Sequence, residues 1–498
     1  MEFLEDHGEG YIYIPLPVEA GSVDFKRYQN ILSKIDLQLR TSNIEKHLGQ
    51  ILVEKEVGAT KDKKPEDVRF WSRYASYIIR CTIARFLTQE SYRSFSVHLA
   101  DSILLRDFCG YSSPHAPKTT PSKSTLQRFE GMFDTETLQE AIDLLLVAAA
   151  SEESDLFKAE DGLVRTIDTD YLLLDSTCAK LDIHFPVDWV LLADCVKSII
   201  QSIIEIRKYG IKYRIDDPKT FLSTVNKLCM AMTNSSKGRG DKSEKKTVFR
   251  KLKKLLKKVA NHGERYLEKL QSDWKDTKLT EPKKAQIEKK LQHTLDLVPD
   301  VIDQAHERII GGRLVSNEKK ILSIHEEHAK VYNRGKSGAQ VEFGLQLLLG
   351  ENLDGVITHW DLYDHVPRPD YKHTDDVLAR IESMSEEIRP SQLVGDRGFF
   401  SASSEAKIEK SNLVSNMCPR DPKQLQKRLS EESFRFLTKR RSQTEARIGI
   451  LTNNFLGKRI RVSGFENQKR HVAWAVLAHN LWVIARLPYK DLLDQEAA

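Results

Sequence analysis

The chain has 498 residues, 40% hydrophobic and 30% charged, and its 77 Lys and Arg against 72 Asp and Glu leave a formal charge of +5. At about 100–200 residues per domain the length predicts roughly two to four domains, with room for at least one large core. The composition excludes collagen-like, mucin-like and wholly disordered chains, and no apolar run approaches the ~18 residues that a bilayer span requires.

The N-terminus, Met1-Glu2-Phe3-Leu4-Glu5-Asp6, carries acid where a secretory signal needs basic charge, so a soluble, cytoplasmic protein is expected. Residues 1–60 form an unassigned segment with a short β-like patch at Tyr11–Pro15. From about Pro65 to Ala150 the pattern is helical: Trp71, Tyr74, Ile78, Ile79 and Ile83 recur at the three- and four-residue steps of one helix face. A helix over Ser94–Phe108 follows, then a Ser/Pro-rich turn at Tyr111–Pro121. Behind Pro121, Ser122-Lys123-Ser124-Thr125 opens another helix. Lys123 there suits a DNA-reading helix, whose N-terminal residues reach phosphates, and the same residues also read as an ordinary capped helix.

At Leu163 the period changes, and Tyr171–Leu174 reads as a buried strand. Helical periodicity returns from Asp188 to about Lys319, in Lys/Glu/Leu-rich stretches at Val248–Leu270 and Pro282–Ile309, with a link at Asn234–Asp241. Strands resume at Val341–Leu349 and Gly355–Tyr363. Next come a helix near Thr374–Glu386, a strand at Gln392–Gly395, a helix near Ser403–Lys410 and a strand at Leu413–Met417. A basic helix spans about Glu432–Asn453, and His471–Leu487, apolar nearly all round, predicts a buried closing helix. Because Tyr171–Leu174 alone cannot make a sheet, strands framing a helical block predict one α/β domain carrying a long all-α insertion, behind a helical N-terminal domain. The boundaries are 61–155 for the helical domain, 156–190 with 320–490 for the α/β domain, and 191–319 for the insertion.

The charge is unevenly placed. Ser236–Lys258 holds eleven Lys/Arg and two acids, a net +9, and Arg435–Arg461 holds eight and one acid, a net +7, so the remainder carries −11. Basic blocks on an otherwise acidic chain suit a polyanion, with Lys253 and Lys254 in the first block and Arg440, Arg441 and Arg447 in the second. The six cysteines contain no Cys-x-x-Cys pair, which argues against a zinc ribbon or a disulfide framework. His325-Glu326-Glu327-His328 has its histidines three apart and reads as solvated helix.

Three acids stand where a metal site needs them. Asp175 follows Leu172-Leu173-Leu174 out of a strand, Asp396 follows Leu393-Val394-Gly395 and opens the turn Arg397-Gly398, and Glu445 is the only acid of its basic block. Carboxylates at adjacent strand ends, with a third from a helix on the sheet, can hold paired Mg²⁺ for an in-line phosphoryl displacement. Taken singly, a strand-end Asp, a turn Asp and an ion-paired Glu are ordinary structural features, and spacing alone leaves both readings open.

Leu173-Leu174-Asp175-Ser176-Thr177, Val394-Gly395-Asp396-Arg397-Gly398-Phe399 and Arg441-Ser442-Gln443-Thr444-Glu445-Ala446-Arg447 resemble the three signatures of DDE transposases of bacterial insertion sequences. Trp474–Trp482 is similar to their C-terminal helix, and Arg334-Gly335-Lys336-Ser337-Gly338 with Val341-Glu342-Phe343-Gly344 to their second strand region. The resemblance implies an RNase H-like mixed sheet with flanking helices, the first Asp on the first strand, the second Asp after the fourth and the Glu on a following helix. It implies that Asp175, Asp396 and Glu445 are catalytic and bind Mg²⁺, two ions per site, with Mn²⁺ as a substitute. It makes Arg441 a phosphate ligand, with Arg440, Arg447 and Arg397 as further DNA contacts. Thr438 and Thr452 occupy the places where the extended signature has Tyr and Lys.

The function so implied is cleavage of element ends and joining of their 3′-hydroxyls to target DNA by two-metal phosphoryl transfer, in a prokaryotic, nucleoid-associated homodimer or larger assembly on DNA. The partners are terminal inverted repeats and target DNA, with no membrane. The alternatives are an RNase H-like nuclease without strand transfer, and a DNA-binding protein whose chemistry has lapsed.

Overall fold

The computed structural model describes residues 22–58, 64–237, 242–333 and 341–490. The β-like patch at Tyr11–Pro15, residues 238–241 of the predicted link and Arg334–Gly338 lie outside them. Among the described residues eight helices come first: α1 (Val23–Thr41), α2 (Ile44–Val57), α3 (Pro65–Thr88), α4 (Tyr92–Asp101), α5 (Ile103–Phe108), α6 (Lys123–Glu130), α7 (Thr135–Ala150) and α8 (Asp155–Lys158). In α3 the apolar stripe widens until every residue from Ala75 to Phe86 is buried. Two arginines go inside with it because each meets acid. Arg80 donates to Glu45 Oε1 at 2.8 Å and to Asp36 Oδ1 at 2.6 Å, and Arg85 to Glu130 Oε2 at 2.7 Å. The helix expected over Ser94–Phe108 is two helices. Ser102 interrupts it, its hydroxyl accepting the Leu105 N–H at 3.3 Å as the N-cap of α5. Ser122 caps α6 in the same way, through the N–H of Thr125 at 3.3 Å.

Strand β1 (Tyr171–Lys180) is longer than its apolar run, continuing past Leu174 through Asp175 and Ser176. Four helices come next, α9 (Asp188–Lys208), α10 (Pro218–Lys237), α11 (Lys242–Asp273) and α12 (Glu281–Ile309), then β2 (Lys330–Asn333) and β3 (Val341–Glu351). Residues 310–329, with His325-Glu326-Glu327-His328, are turns and irregular chain where a solvated helix was expected. After β3 come β4 (Ile357–Tyr363), α13 (Thr374–Ser383), β5 (Gln392–Gly395), α14 (Ala402–Lys410) and β6 (Val414–Met417). The chain closes with α15 (Pro422–Arg428), α16 (Glu432–Arg441), α17 (Thr444–Ile450) and α18 (Phe465–Ile484). The basic helix expected over Glu432–Asn453 is therefore interrupted. Ser442 turns its hydroxyl onto the Lys439 carbonyl at 2.6 Å, and the Gln443 N–H bonds Arg440 O at 3.0 Å in a tighter three-residue turn.

The chain divides into two compact units. The first takes the described residues through Lys180, then Gln346–Tyr363 and the chain from Pro367 onward; the second takes Leu181–Leu345 and Asp364–Val366. The protein is α/β, with a mixed six-stranded sheet ordered β2-β3-β1-β5-β6 and with β4 paired to β3. β1 and β5 run parallel in the register Tyr171↔Gln392, Leu172↔Leu393 and Leu173↔Val394, and β5 pairs parallel with β6. β4 is antiparallel to the Gln346–Glu351 part of β3. Helix α18 supplies the buried floor of the first unit: its Trp474, Leu477 and Leu481 are fully buried, as its all-round apolar pattern requires. In the second unit Leu192, Ile199 and Ile203 of α9 pack with Leu256 and Tyr266 of α11 and Leu291 of α12. Among the described residues no helix is long and apolar enough to cross a membrane.

Candidate active site

Leu172, Leu173 and Leu174 anchor β1 in the sheet, and Leu173 packs with Val394 of β5 and Leu437 of α16. That contact ties the basic helix to the two strands that carry the acids. Extending the parallel register two residues beyond Leu173↔Val394 sets Asp175 opposite Asp396. Neighbouring strands lie about 4.8 Å apart, which brings the two acids close together just past the end of β5, where Asp396 acts electrostatically on Asp175. Asp396 Oδ1 accepts the Gly398 N–H at 2.6 Å, an Asx turn that fixes the side chain.

A third acid joins them. Asp370 Oδ1 accepts from Ser176 Oγ, the residue after Asp175, at 2.6 Å. A Cβ on Gly398 would lie 2.5 Å from Asp370 Oδ2 and 2.8 Å from Asp396 Oδ1, so both carboxylates crowd the one position where the chain has no side chain. The loop that brings Asp370 here is pinned from two sides. Gln346 bonds Arg368 through both its side-chain amide nitrogen and oxygen at 2.9 Å, and the Tyr371 N–H bonds Gly398 O at 3.1 Å.

The electrostatics follow from that crowding. Burial first, with Asp396 and Asp370 adding to it and the Ser176 N–H and the Arg441 guanidinium opposing, pushes the Asp175 carboxyl up to about 6. Asp370 is likewise raised by burial, with Ser176 opposing and Asp396 adding to the shift. Three carboxylates thus share a half-buried site in which Arg441 is the compensating cation for Asp175. Such all-oxygen groups suit a hard divalent ion. Among the described residues, however, no three His, Cys, Asp or Glu side chains close on a single point, and Glu445 is exposed in the first turn of α17.

Behind Glu445 stands a buried carboxylate that composition and spacing gave no reason to single out. Glu351, at the end of β3, accepts from Arg440 Nη1 at 3.0 Å and from Thr444 Oγ1 at 2.8 Å, and Arg447 Nε lies 3.9 Å away. Arg440 also donates to the carbonyls of Asn352 and Leu353, and Arg447 to that of Asp354 at 2.7 Å. Both arginines, expected on DNA, spend their guanidinium groups fastening the two segments of the basic helix to the β3–β4 turn. Arg397 and Lys123 are exposed, and Lys254 is exposed on α11 of the second unit with Lys253 half-buried beside it.

The structure therefore gathers Asp175, Asp396 and Arg441, adds Asp370 and Ser176, and leaves Glu445 on the surface. Asp370 follows Pro367-Arg368-Pro369 in a turn with no apolar run, so its only signal in the sequence was a rigid Pro-x-Pro approach to a helix. No protein-family model, curated protein or solved structure matches this chain.

Proposed function

We propose that this chain is a DNA transposase of the DDE type, with an RNase H-like catalytic domain split by a helical insertion between β1 and β3. The observation that carries the reading is the parallel pairing of β1 with β5, which brings Asp175 and the turn that opens with Asp396 to one edge of the site. With β2 set aside as part of the second unit, β1 is the first strand of the catalytic sheet and β5 the fourth. Asp175 on the first strand and Asp396 after the fourth is the order that the resemblance of the three motifs implies.

Asp175 and Asp396, with Asp370 beside them, would hold Mg²⁺, and Glu445 at the head of α17 has the exposure to complete the set. Bound Mg²⁺ would supply charge neutralisation for phosphoryl transfer. The ion also fits the charge deficit: Asp175 ionises with difficulty beside two other acids, and a cation removes that penalty. Ser176 holds Asp370 by a hydrogen bond to Oδ1, the Asx turn at Gly398 holds Asp396, and Arg441 offers a guanidinium to a DNA phosphate. Glu351 positions Glu445 indirectly, through Thr444 and Arg440 on either side of the helix break.

Both ends of an element must be gathered before joining, so a homodimer or larger assembly on DNA is part of the reading. The test incubates the purified full chain with Mg²⁺ and DNA carrying the repeats that flank its gene. Cleaved ends and joined 3′-hydroxyls are expected, and each is expected to vanish in Asp175→Ala, Asp396→Ala and Glu445→Ala. Cleavage without joined products would make the protein a nuclease. Tight binding without Mg²⁺-dependent products at any salt would make it a DNA-binding protein, and full activity in all three variants would overturn the site.

A further inference from the structure

We propose that the exposed face of α11 in the second unit is a sequence-independent docking surface for the phosphate backbone of double-stranded DNA. The choice of DNA over other polyanions rests on the reading of the chain as a DNA-acting enzyme; the surface itself rests on the helix.

Helix α11 has two unlike faces. Phe249, Leu252, Leu256, Val259 and Tyr266 are at most 1% exposed and lie in the core of the second unit. On the other side Arg250, Lys251, Lys254, Lys257 and Lys258 are exposed. They recur at three- and four-residue steps, which puts them on one face, with about 6 Å of rise for each four-residue step. At the C-terminal end of this run Lys258 Nζ reaches Asp216 Oδ2 at 2.7 Å. Asp216 belongs to the loop before α10, which exposes Lys212 and Arg214 and so carries the stripe off the helix. Glu264 and Glu268, farther along α11, end it.

Two ordinary explanations fail on what this helix touches. A basic amphipathic helix that lies on membranes must offer lipid its apolar face, and here that face is buried in the unit's core. A merely solvated helix face interleaves its charges as opposite pairs four apart, which stabilise the helix. The pairs Arg250/Lys254, Lys251/Lys254, Lys254/Lys257 and Lys254/Lys258 are instead all alike. Among the described residues Arg250, Lys251, Lys254 and Lys257 meet no carboxylate, so their repulsion is uncompensated. A phosphate backbone compensates it, because each phosphate neutralised releases counterions. The stripe is built of cations, whose attraction to the phosphate backbone is the same for every sequence, so binding is expected to be indifferent to sequence.

The test uses the full chain, in EDTA to stop any chemistry, and follows fluorescence anisotropy of two 30-base-pair duplexes of unrelated sequence across a salt series. The variant is Arg250→Gln/Lys251→Gln/Lys254→Gln/Lys257→Gln, with Lys26→Gln on the exposed side of α1 as control. Wild type and Lys26→Gln are expected to bind both duplexes equally. The quadruple variant, folded as wild type by circular dichroism, is expected to bind at least tenfold more weakly at low salt. Its slope of log K against log salt should be shallower by about 3–4, at about 0.9 for each phosphate no longer neutralised. An unchanged affinity and slope would overturn the surface even if Mg²⁺-dependent products are formed. An altered slope with no products at all would sustain the surface while the catalytic reading falls. Loss of binding to phosphatidylserine vesicles with duplex binding intact would assign the stripe to lipid and overturn the proposal.

Discussion

Ser176 Oγ donates to Asp370 Oδ1 at 2.6 Å, joining β1 to a loop 194 residues later in the chain. The bond holds Asp370 beside β1, where it adds a third acid to the surroundings of Asp175. Ser176 thereby offsets part of the cost of keeping Asp370 ionised beside Asp396.

That cost is measurable as stability. Asp175 has a folded-state pKa raised from 3.8 to about 6, so the folded protein holds a proton that the unfolded chain has released. The destabilisation is absent below about pH 4, grows between pH 4 and 6, and is complete above that. Asp175→Asn is therefore expected to be more stable than wild type at pH 7 by about 1–2 kcal/mol in EDTA, allowing for partial solvent screening. The difference should close below pH 4, as urea unfolding at each pH would reveal. Millimolar Mg²⁺ is expected to raise the Tm of wild type and not that of Asp175→Asn; equal shifts would remove the metal from this site.

Asp175 and Asp396 were singled out in the sequence by the resemblance of their motifs, after short apolar runs that read as strands, while the parallel pairing of β1 with β5 came from the structure. Asp370 was not legible, since its place depends on Gln346 and Gly398 gripping a loop from elsewhere in the chain. The break at Ser442–Gln443 escaped for a related reason. Residues 432–453 contain no Gly or Pro before Gly449, and the interruption comes with side chains that Glu351 recruits from both sides. The helices from Pro65 to Ala150 were legible as a class, α1 and α2 fell in the segment that the sequence left unassigned, and the burial of Arg80 and Arg85 inside α3 needed the acids of other helices to be known.

Arg440 and Arg441 adjoin in sequence and should respond oppositely to mutation. Arg440 is buried on Glu351 and two carbonyls, and Arg440→Gln strands a buried carboxylate, so a loss of about 3–5 kcal/mol is expected. Arg441→Gln removes a half-buried cation beside Asp175 and is expected to change stability by less than about 1 kcal/mol while weakening DNA cleavage at least tenfold. Chemical denaturation and single-turnover cleavage on both variants would separate the roles. A stable, inactive Arg440→Gln would reverse them.

Gly398→Ala tests whether the carboxylates need their present spacing. The added Cβ would meet Asp370 Oδ2 at 2.5 Å and Asp396 Oδ1 at 2.8 Å, closer than such atoms tolerate, and both oxygens sit on side chains that can rotate away. The expected outcome is a fold of near wild-type stability with Mn²⁺ affinity at least tenfold lower by calorimetry. Unaltered Mn²⁺ affinity would mean that Asp370 and Asp396 do not act on one ion.

The buried network beneath the N-terminal helices gives the chain an acid limit of its own. Glu130 accepts from Arg85 at 2.7 Å, is paired with His471 Nδ1 at 2.5 Å and accepts from Tyr92 Oη at 2.5 Å. Burial alone would raise its pKa, but His471 and Arg85 outweigh burial and hold it near 2, against a usual 4.5. A depressed folded-state value means that Glu130 stabilises the fold above about pH 4.5 and that this contribution is lost as pH falls toward 2, on the order of 3 kcal/mol in all. Glu130→Gln leaves Arg85 buried without its carboxylate and is expected to cost about 3–5 kcal/mol at pH 7. The gap between variant and wild type in urea should narrow steadily from pH 4.5 downward, whereas an exposed control such as Glu432→Gln should change little at either pH. A gap that stayed constant to pH 2.5 would mean that Glu130 contributes through packing and not through its charge.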